Sequence, residues 1–452
     1  MINPVDSVDA VELLQQDKRH HLHAMTNPVS LRETGPDMVM RAEGVYLYLS
    51  DGRRVMDVGS GLANVNIGYG NPRLCEAAYK TMRQLSFAHG FFGRSNPWAA
   101  ALSAKLAELT PAQYDYFFFA STGSDAIESA VKMALRYWRL RDRPSKRAII
   151  SRRLSYHGNT LFAAGLTGIE AFHTQFGLPF GDMIHHAEST HWYLEGRGRS
   201  REEFCRDIVR ALEQQILKIG PDNIAAFVGD PIQTGGGTIV PPAGYWPAVR
   251  RLCDQYDILL IADEIITGFG KTGRMFGFEN FDFEPDLIVM AKGLSSGYFP
   301  ISSVGVGAKV GEVIQSANEL FAHAFTNCGH PVGAAVALES IAFIEEHGLV
   351  DRVREETGPY FSKRLEELRE FQCIGDIRSC GVLGGLDVDL SGGAHTSSKG
   401  DNDAFLDKVV QIAWRRGLAM RGIGLCLPMI ITQEQIDEAV GILKGSIKEA
   451  LQ

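Results

Sequence analysis

Two short apolar runs, each cut off by a single charge, constrain this chain more than any other feature. Residues 258–262 read Ile-Leu-Leu-Ile-Ala and stop at Asp263; residues 287–291 read Leu-Ile-Val-Met-Ala and stop at Lys292. Runs of this length, aliphatic and bounded by Gly and Pro, suit strands buried on both faces of a sheet, whereas a buried helix needs a longer run. Similar runs stand at 116–119, 147–150 and 224–228, with segments of helical periodicity between them. Strands alternating with helices predict an α/β chain with a large, doubly wound, mostly parallel sheet. Ligands of such sheets sit at the carboxyl ends of the strands, so Asp263 and Lys292 are expected to face one crevice.

A carboxylate and an amine in isolation most often make a salt bridge at the sheet edge. Here Gly268, Gly270 and Gly273 follow the Asp, and Gly293 and Gly297 follow the Lys, clearing backbone as a bulky ligand requires. A lysine at a strand end can form a Schiff base with an aldehyde, and an aspartate can keep a heteroaromatic nitrogen protonated. Pyridoxal phosphate asks a protein for both. An opposite charge within hydrogen-bond reach moves a pKa by about 1–3 units, enough to hold a pyridine nitrogen cationic near neutral pH.

A phosphate site is expected upstream. The strand at 116–119 runs into Ser121-Thr122-Gly123-Ser124, after which Ile127, Val131, Ala134, Leu135 and Trp138 recur at helical spacing. A strand, a Ser/Thr/Gly turn and a helix aim open N–H groups and the positive helix end at one point. The plainer reading is an N-cap at Ser124 with Glu128 in the first turn. Further on, Ser155-Tyr156-His157-Gly158-Asn159-Thr160 sets an aromatic beside a glycine, where its face can lie on a flat ring.

Two rival motifs fall in the same central stretch. Gly268-Phe269-Gly270-Lys271-Thr272 looks like the end of a P-loop, but the glycine required five places before Gly270 is Ile265, which rejects it. Gly293-Leu294-Ser295-Ser296-Gly297 matches the G-x-S-x-G elbow of serine hydrolases, with Ser295 as nucleophile. An elbow must continue into a helix, and Gly297-Tyr298-Phe299-Pro300 opposes one.

The remaining chain supplies a candidate helix over 7–23, a hairpin at 45–56 turning at Asp51-Gly52, an irregular segment at 59–65, and a helix over 72–85. Phe91 and Phe92 stand in a glycine-flanked loop as core or pocket lining. Helices follow at 332–347 and after Thr432, where Thr432 and Gln435 form a capping box, with short strands near 382–390 and a Gly/Ser-rich loop at 391–402. The 45 basic and 54 acidic residues leave a net charge of −9 without a basic stripe, which opposes nucleic-acid binding. No apolar run reaches the roughly 18 residues of a membrane span. A start without a secretory signal pattern and seven cysteines without a C-x-x-C pair suit a reducing, cytoplasmic setting. His20, His21, His23, His186 and His191 lack a metal-ligand spacing, so no metal is expected.

With these motifs placed, the sequence resembles the class III aminotransferases of the fold-type I pyridoxal phosphate enzymes over nearly its whole length. LIADEIITGFGKTGR, AKGLSSGYFPIS, STGSDA, SYHGNT, DPIQTGGG and FTNCGHP stand in the family's order, and HGFFGRSNP, GSGLANVNIGYG and HHLHAMT are most similar to the amine–pyruvate (ω-) transaminases. The resemblance implies a large cofactor-binding domain at 61–335 and a small α+β domain from 1–60 and 336–452. It implies that Lys292 holds the cofactor covalently and moves the proton, that Asp263 pairs with the pyridine nitrogen, and that Gly123 and Ser124 hold the phosphate. Tyr156 would cover the ring, Ile265 would pack beneath it, and Thr326 would reach the phosphate of the neighbouring subunit of a homodimer. Ala63, Phe92, Tyr156 and Arg421 are the implied substrate residues, Arg421 binding the carboxylate of the keto acid. The expected reaction moves an amino group from a primary amine to pyruvate. The same motifs also fit an aminomutase or a 2-oxoglutarate-dependent aminotransferase.

Three positions depart from the family pattern. Asp230 stands where Glu is usual, one methylene shorter. Ala63 stands where amine–pyruvate relatives carry Trp, which implies a bulkier donor. The stretch from Arg421 to Leu425 is about four residues short of the family pattern, and the arginine of glutamate-type members falls near Gly424, which implies pyruvate over 2-oxoglutarate.

Overall fold

The computed structural model describes residues 9–179, 181–196, 198–393, 398–422 and 424–452. The first helix is Ala10–His20, capped by Asp9; positions 7 and 8, where it was expected to begin, and 394–397 of the expected Gly/Ser loop lie outside the described residues. Strands β1 (Val39–Glu43), β2 (Tyr46–Leu49) and β3 (Arg54–Asp57) form an antiparallel meander turning at Asp51-Gly52, with Gly52 at φ +87°.

The central sheet is built from β4 (Tyr114–Ala120), β5 (Ala148–Arg152), β6 (Ile184–Ala187), β7 (Ile224–Gly229), β8 (Leu259–Asp263), β9 (Leu287–Met290) and β10 (Ser302–Gly307). Their spatial order is β4-β10-β9-β8-β7-β5-β6. Strands β9, β8, β7, β5 and β6 run parallel, and β10 lies antiparallel between β9 and β4. Further along, β11 (Ile374–Cys380) and β12 (Leu383–Val388) pair antiparallel, β13 (Leu418–Ala419) joins β3, and β14 (Gly424–Cys426) joins β12.

Alternation of side chains explains why the central runs are apolar throughout. Leu259 and Ile261 of β8 pack with Leu287 and Val289 of β9 against Ile127 and Val131 of the helix Gly123–Leu140. Their neighbours Leu260, Ala262, Ile288 and Met290 point to the opposite face, in the core that holds Trp246 and Val249 of the helix Tyr245–Gln255. Both faces are covered, so no position on these strands meets water. Each large aliphatic side chain buried this way contributes about 1.5–3 kcal/mol relative to exposure.

Strands β6 and β10 were not expected. In β10 all six residues are buried, but Ser302-Ser303-Val304-Gly305-Val306-Gly307 reads as a loop because close packing demands small residues. A Cβ at Gly305 would lie 3.1 Å from the Phe117 ring, and one at Gly307 2.8 Å from the Asp286 carbonyl oxygen. The capping box of Thr432 and Gln435 starts the terminal helix Gln433–Ala450 as the sequence predicts.

Segment 59–65, read as irregular, is a left-handed turn. Ser60, Gly61, Leu62 and Ala63 have φ of +46°, +53°, +67° and +61°, a run that costs roughly 1–2 kcal/mol at each non-glycine residue. Asp57 holds it: Oδ1 accepts from Gly59 N at 3.0 Å, and Oδ2 accepts from Gly61 N at 2.7 Å and the Tyr69 hydroxyl at 2.6 Å. The Ser60 hydroxyl donates to the Cys426 carbonyl on β14.

Candidate active site

The parallel strands deliver their carboxyl ends to one side of the sheet, and a cavity of about 820 Å³ opens there. That volume lies within the roughly 300–1,000 Å³ of ligand pockets. Its wall takes Ser124 after β4, Tyr156 after β5, Asp230 after β7, Asp263 at the end of β8 and Lys292 after β9. Register sets their spacing: Gly229 lies beside Ala262, and Asp263 beside Val289, so three neighbouring strand ends contribute Asp230, Asp263 and Lys292.

Asp263 is 4% exposed and fixed on both oxygens. Oδ2 pairs with Nδ1 of His157 at 2.7 Å, and Oδ1 accepts from Ile265 N at 3.1 Å. His157 is itself buried, and its Nε2 has no partner among the described residues. The carboxylate accepts from Nδ1–H, so the ring tautomer is set by Asp263. This histidine is the site residue that sequence reading passed over; its signal was its place between Tyr156 and Gly158.

Lys292 sits in a left-handed conformation, φ +44°, which turns its side chain out of the strand line. Burial is the largest cause that pushes its amine down to about 8, with Arg421 and Lys271 lowering it further and Asp263 opposing. An amine near 8 exchanges its proton close to neutral pH.

The helix Gly123–Leu140 begins beneath these residues. Its N-cap is Thr122, not Ser124: Thr122 Oγ1 accepts from Asp125 N at 3.2 Å, and Asp125 Oδ2 accepts from Thr122 N at 3.0 Å. Ser124 instead accepts at Oγ from Asn159 N at 2.9 Å, tying the helix start to the loop after Tyr156. The first-turn N–H groups of Gly123 and Ser124 remain open to an anion. A Cβ at Gly123 would lie 2.8 Å from Ile265 Cδ1, so a side chain there would require Ile265 to shift. Gly158, at φ +132°, would put a Cβ 2.5 Å from the Ser124 hydroxyl.

Tyr156 lines the cavity beside Phe172, ring centroids 5.2 Å apart, and burial raises its phenol above the usual range while Arg421 acts against that. Arg421 also lines the cavity, at the tip of the tight connection between β13 and β14, where it bridges Gly424. The shortened stretch therefore still brings its guanidinium to the site.

Three expected residues lie off the cavity wall of a single chain. Ala63 is buried with Ile232, Leu383 and Cys426, its neighbours Leu62 and Asn64 being the ones that line the cavity. Phe92 is 87% exposed at φ +57°, and Thr326 is exposed in the loop before the helix Pro331–Glu346. Ser295 lines the cavity, but its hydroxyl donates to the Phe299 carbonyl at 2.6 Å and no helix follows, so the hydrolase elbow is absent. Among the histidines, His21 and His23 bond to Asp17 at 3.0 and 2.6 Å, at the N-terminal helix.

The donor set fits pyridoxal phosphate: a lysine with a depressed amine, a carboxylate fixed by two donors, a helix start at a glycine packed against Ile265, and a flanking aromatic. Comparison with known proteins agrees. The family model described as aminotransferase class-III matches residues 31–447. A putrescine–pyruvate aminotransferase of Pseudomonas aeruginosa is 38% identical over 439 residues, covering 95% of this chain and 94% of that protein. An (S)-enantioselective ω-transaminase of Thermomicrobium roseum superposes with a TM-score of 0.95 at 37% identity, covering 99% of this chain and 100% of the other. The ω-transaminase of Pseudomonas jessenii in complex with PMP gives 0.93 at 34% identity, covering 97% and 98%.

Proposed function

The chain belongs to the class III aminotransferases, and we propose that within this family it moves an amino group from a primary amine to pyruvate with pyridoxal 5′-phosphate as cofactor. The observation that carries this reading is the meeting of Lys292, Asp263 and the open helix start at Gly123 on one cavity.

When bound, the cofactor supplies an aldehyde for amines and a ring that takes up the electron pair left by a broken C–H bond. Lys292 would tether it, and its Nζ would hold or release a proton near neutral pH, because burial has brought that amine to about 8. Asp263, held by His157 and Ile265 N, would keep a proton on the ring nitrogen. Gly123 and Ser124, which line the cavity, would bind the phosphate through main-chain N–H groups, and Tyr156 and Ile265 would flank the ring. Arg421 binds the keto-acid carboxylate, and Gly424 offers no second cation for a dicarboxylic acceptor; both support pyruvate over 2-oxoglutarate.

Ala63 supports a bulky donor. It packs against Ile232, a residue of the cavity wall, so a larger side chain at 63 would press that wall inward. The exposure of Phe92 and Thr326 supports a homodimer in which a second copy brings them to the neighbouring site. The division into 1–60, 61–335 and 336–452 is supported by the central sheet drawing all its strands from 114–307. No described helix is long and apolar enough to cross a membrane, and all seven cysteines are free, which supports a cytoplasmic enzyme.

A visible absorbance band that bleaches on borohydride, with the added mass located on Lys292, tests the cofactor. A donor panel assayed with pyruvate and with 2-oxoglutarate tests the acceptor: alanine formation is expected, and turnover with 2-oxoglutarate alone overturns the assignment.

A further inference from the structure

The N-terminal helix ends in a cluster of side chains that takes no part in the cavity chemistry. Asp17, in its last turn, meets two histidines: Oδ2 lies 3.0 Å from Nδ1 of His21, and Oδ1 lies 2.6 Å from Nε2 of His23. The imidazole rings stand 4.2 Å apart, centroid to centroid. One ligand atom from each residue falls within 4.8 Å of the other two. Read as histidines alone, 20, 21 and 23 have no ligand spacing. Asp17, one helical turn before His21, completes the set.

Two imidazoles and a carboxylate are ligands for zinc and its neighbours rather than for Mg²⁺ or Ca²⁺, which take oxygen. Zinc holds nitrogen and carboxylate oxygen at about 2.0–2.2 Å, so neighbouring ligand atoms of a tetrahedron stand roughly 3.4 Å apart. The separations here, 2.6 and 3.0 Å to the carboxylate and no more than 4.8 Å across the set, bracket that figure. Small side-chain rotations would seat an ion. The side chain of His21 is 62% exposed, which leaves the fourth position to water.

The cluster stands directly before a stretch of cavity wall. Ala24 and Met25 follow His23 and line the cavity, Met25 at φ +51° and 80% exposed on its rim. The helix Ala10–His20 has 11 residues, none of them buried. A helix that short is marginal in water without an apolar face to bury, so polar contacts at its end set the placement of the rim segment. Surface ion pairs are worth only about 0–1 kcal/mol each. An ion held by all three residues ties the helix end to the segment after it.

We propose that Asp17, His21 and His23 bind one divalent cation of the zinc class, and that the ion clamps the segment carrying Ala24 and Met25 on the cavity rim.

Zn²⁺ alone is the probe, titrated calorimetrically into the full-length holoenzyme after chelation and dialysis. One equivalent per chain is expected in the wild type. Loss of a group that merely supports a metal ligand costs about 10–100-fold in affinity, so Asp17→Ala, His21→Ala and His23→Ala should each weaken binding by at least about tenfold. His20→Ala, next to the set but outside it, should bind as the wild type does. Absence of binding, equal binding by the wild type and the three variants, or a loss in His20→Ala as large as in His21→Ala overturns the site.

Trypsin tests the clamp. Lys18 and Arg19 lie exposed between Asp17 and His21. With Zn²⁺ at about ten times its dissociation constant, an ion that binds only the closed segment lowers the open population about tenfold. Cleavage after Lys18 and Arg19, assigned by mass spectrometry, should slow by that factor in the wild type and not in His23→Ala. Equal rates with and without Zn²⁺ overturn the clamp.

Discussion

The two halves of this cavity are held in different ways. One half is made of strand ends and a helix start: Asp263, Lys292, His157, Gly123 and Ser124, anchored by a sheet buried on both faces. The other half is made of loops: the left-handed turn at 60–63, whose Leu62 lines the cavity, and the short connection carrying Arg421. In the first half Asp263, His157 and Ser124 are held by hydrogen bonds of 2.7, 3.1 and 2.9 Å; in the second, Leu62 is 63% exposed. The strand-end half is therefore suited to chemistry common to a family, and the loop half to the choice of substrate.

Substitutions should separate the halves. Lys292→Ala removes both tether and proton carrier, and steady-state assays should show a loss of at least about 10³-fold with every donor. The depressed amine should also be visible without catalysis. Acetylation of Lys292 in the cofactor-free protein should rise with a midpoint near about 8, not 10.5. Between those values the unfolded chain holds a proton that the folded protein has lost, so unfolding free energy should increase with pH across that window. Lys292→Met should abolish the increase.

Asp263→Asn keeps the shape but loses the charge, and a fall of about 10²-fold in kcat for all donors is expected from stopped-flow half-reactions, near 1.4 kcal/mol per tenfold. Equal losses at Ala63 or Arg421 would erase the distinction between halves. Arg421→Ala should instead raise KM for pyruvate by roughly tenfold, the worth of a charged hydrogen bond, and spare the amine half-reaction. The smallest effect should come from Ala63→Trp: a several-fold drop confined to bulky amines, of about 1 kcal/mol. An unchanged profile on large amines would remove Ala63 from the substrate side.

Legibility followed the same division. Strands β7, β8 and β9 were readable because a strand covered on both faces must be apolar at every position, and the charge that ends it must face a ligand. The helix start was located correctly while its cap was not, because Thr122 and Ser124 both suit an N-cap and only the reciprocal bond of Asp125 chooses between them. Strand β10 was hidden by glycines that Phe117 and Asp286 require, a contact between distant segments with no local signature. The turn at 60–63 looked irregular because Leu62 and Ala63 are poor predictors of positive φ; Asp57, Tyr69 and the Cys426 carbonyl impose it.

Sequence by itself determined the sheet, the order of its motifs and the pair of charges at Asp263 and Lys292, since burial on both faces leaves a strand few choices of residue. Only the tertiary structure decided that His157 fixes Asp263, that Asp230 pairs with Arg152, and that Arg421 lines the cavity on a short connection. Those outcomes depend on hydrogen-bond partners far apart in the chain, and the spacing of residues along a sequence carries no record of which distant groups meet.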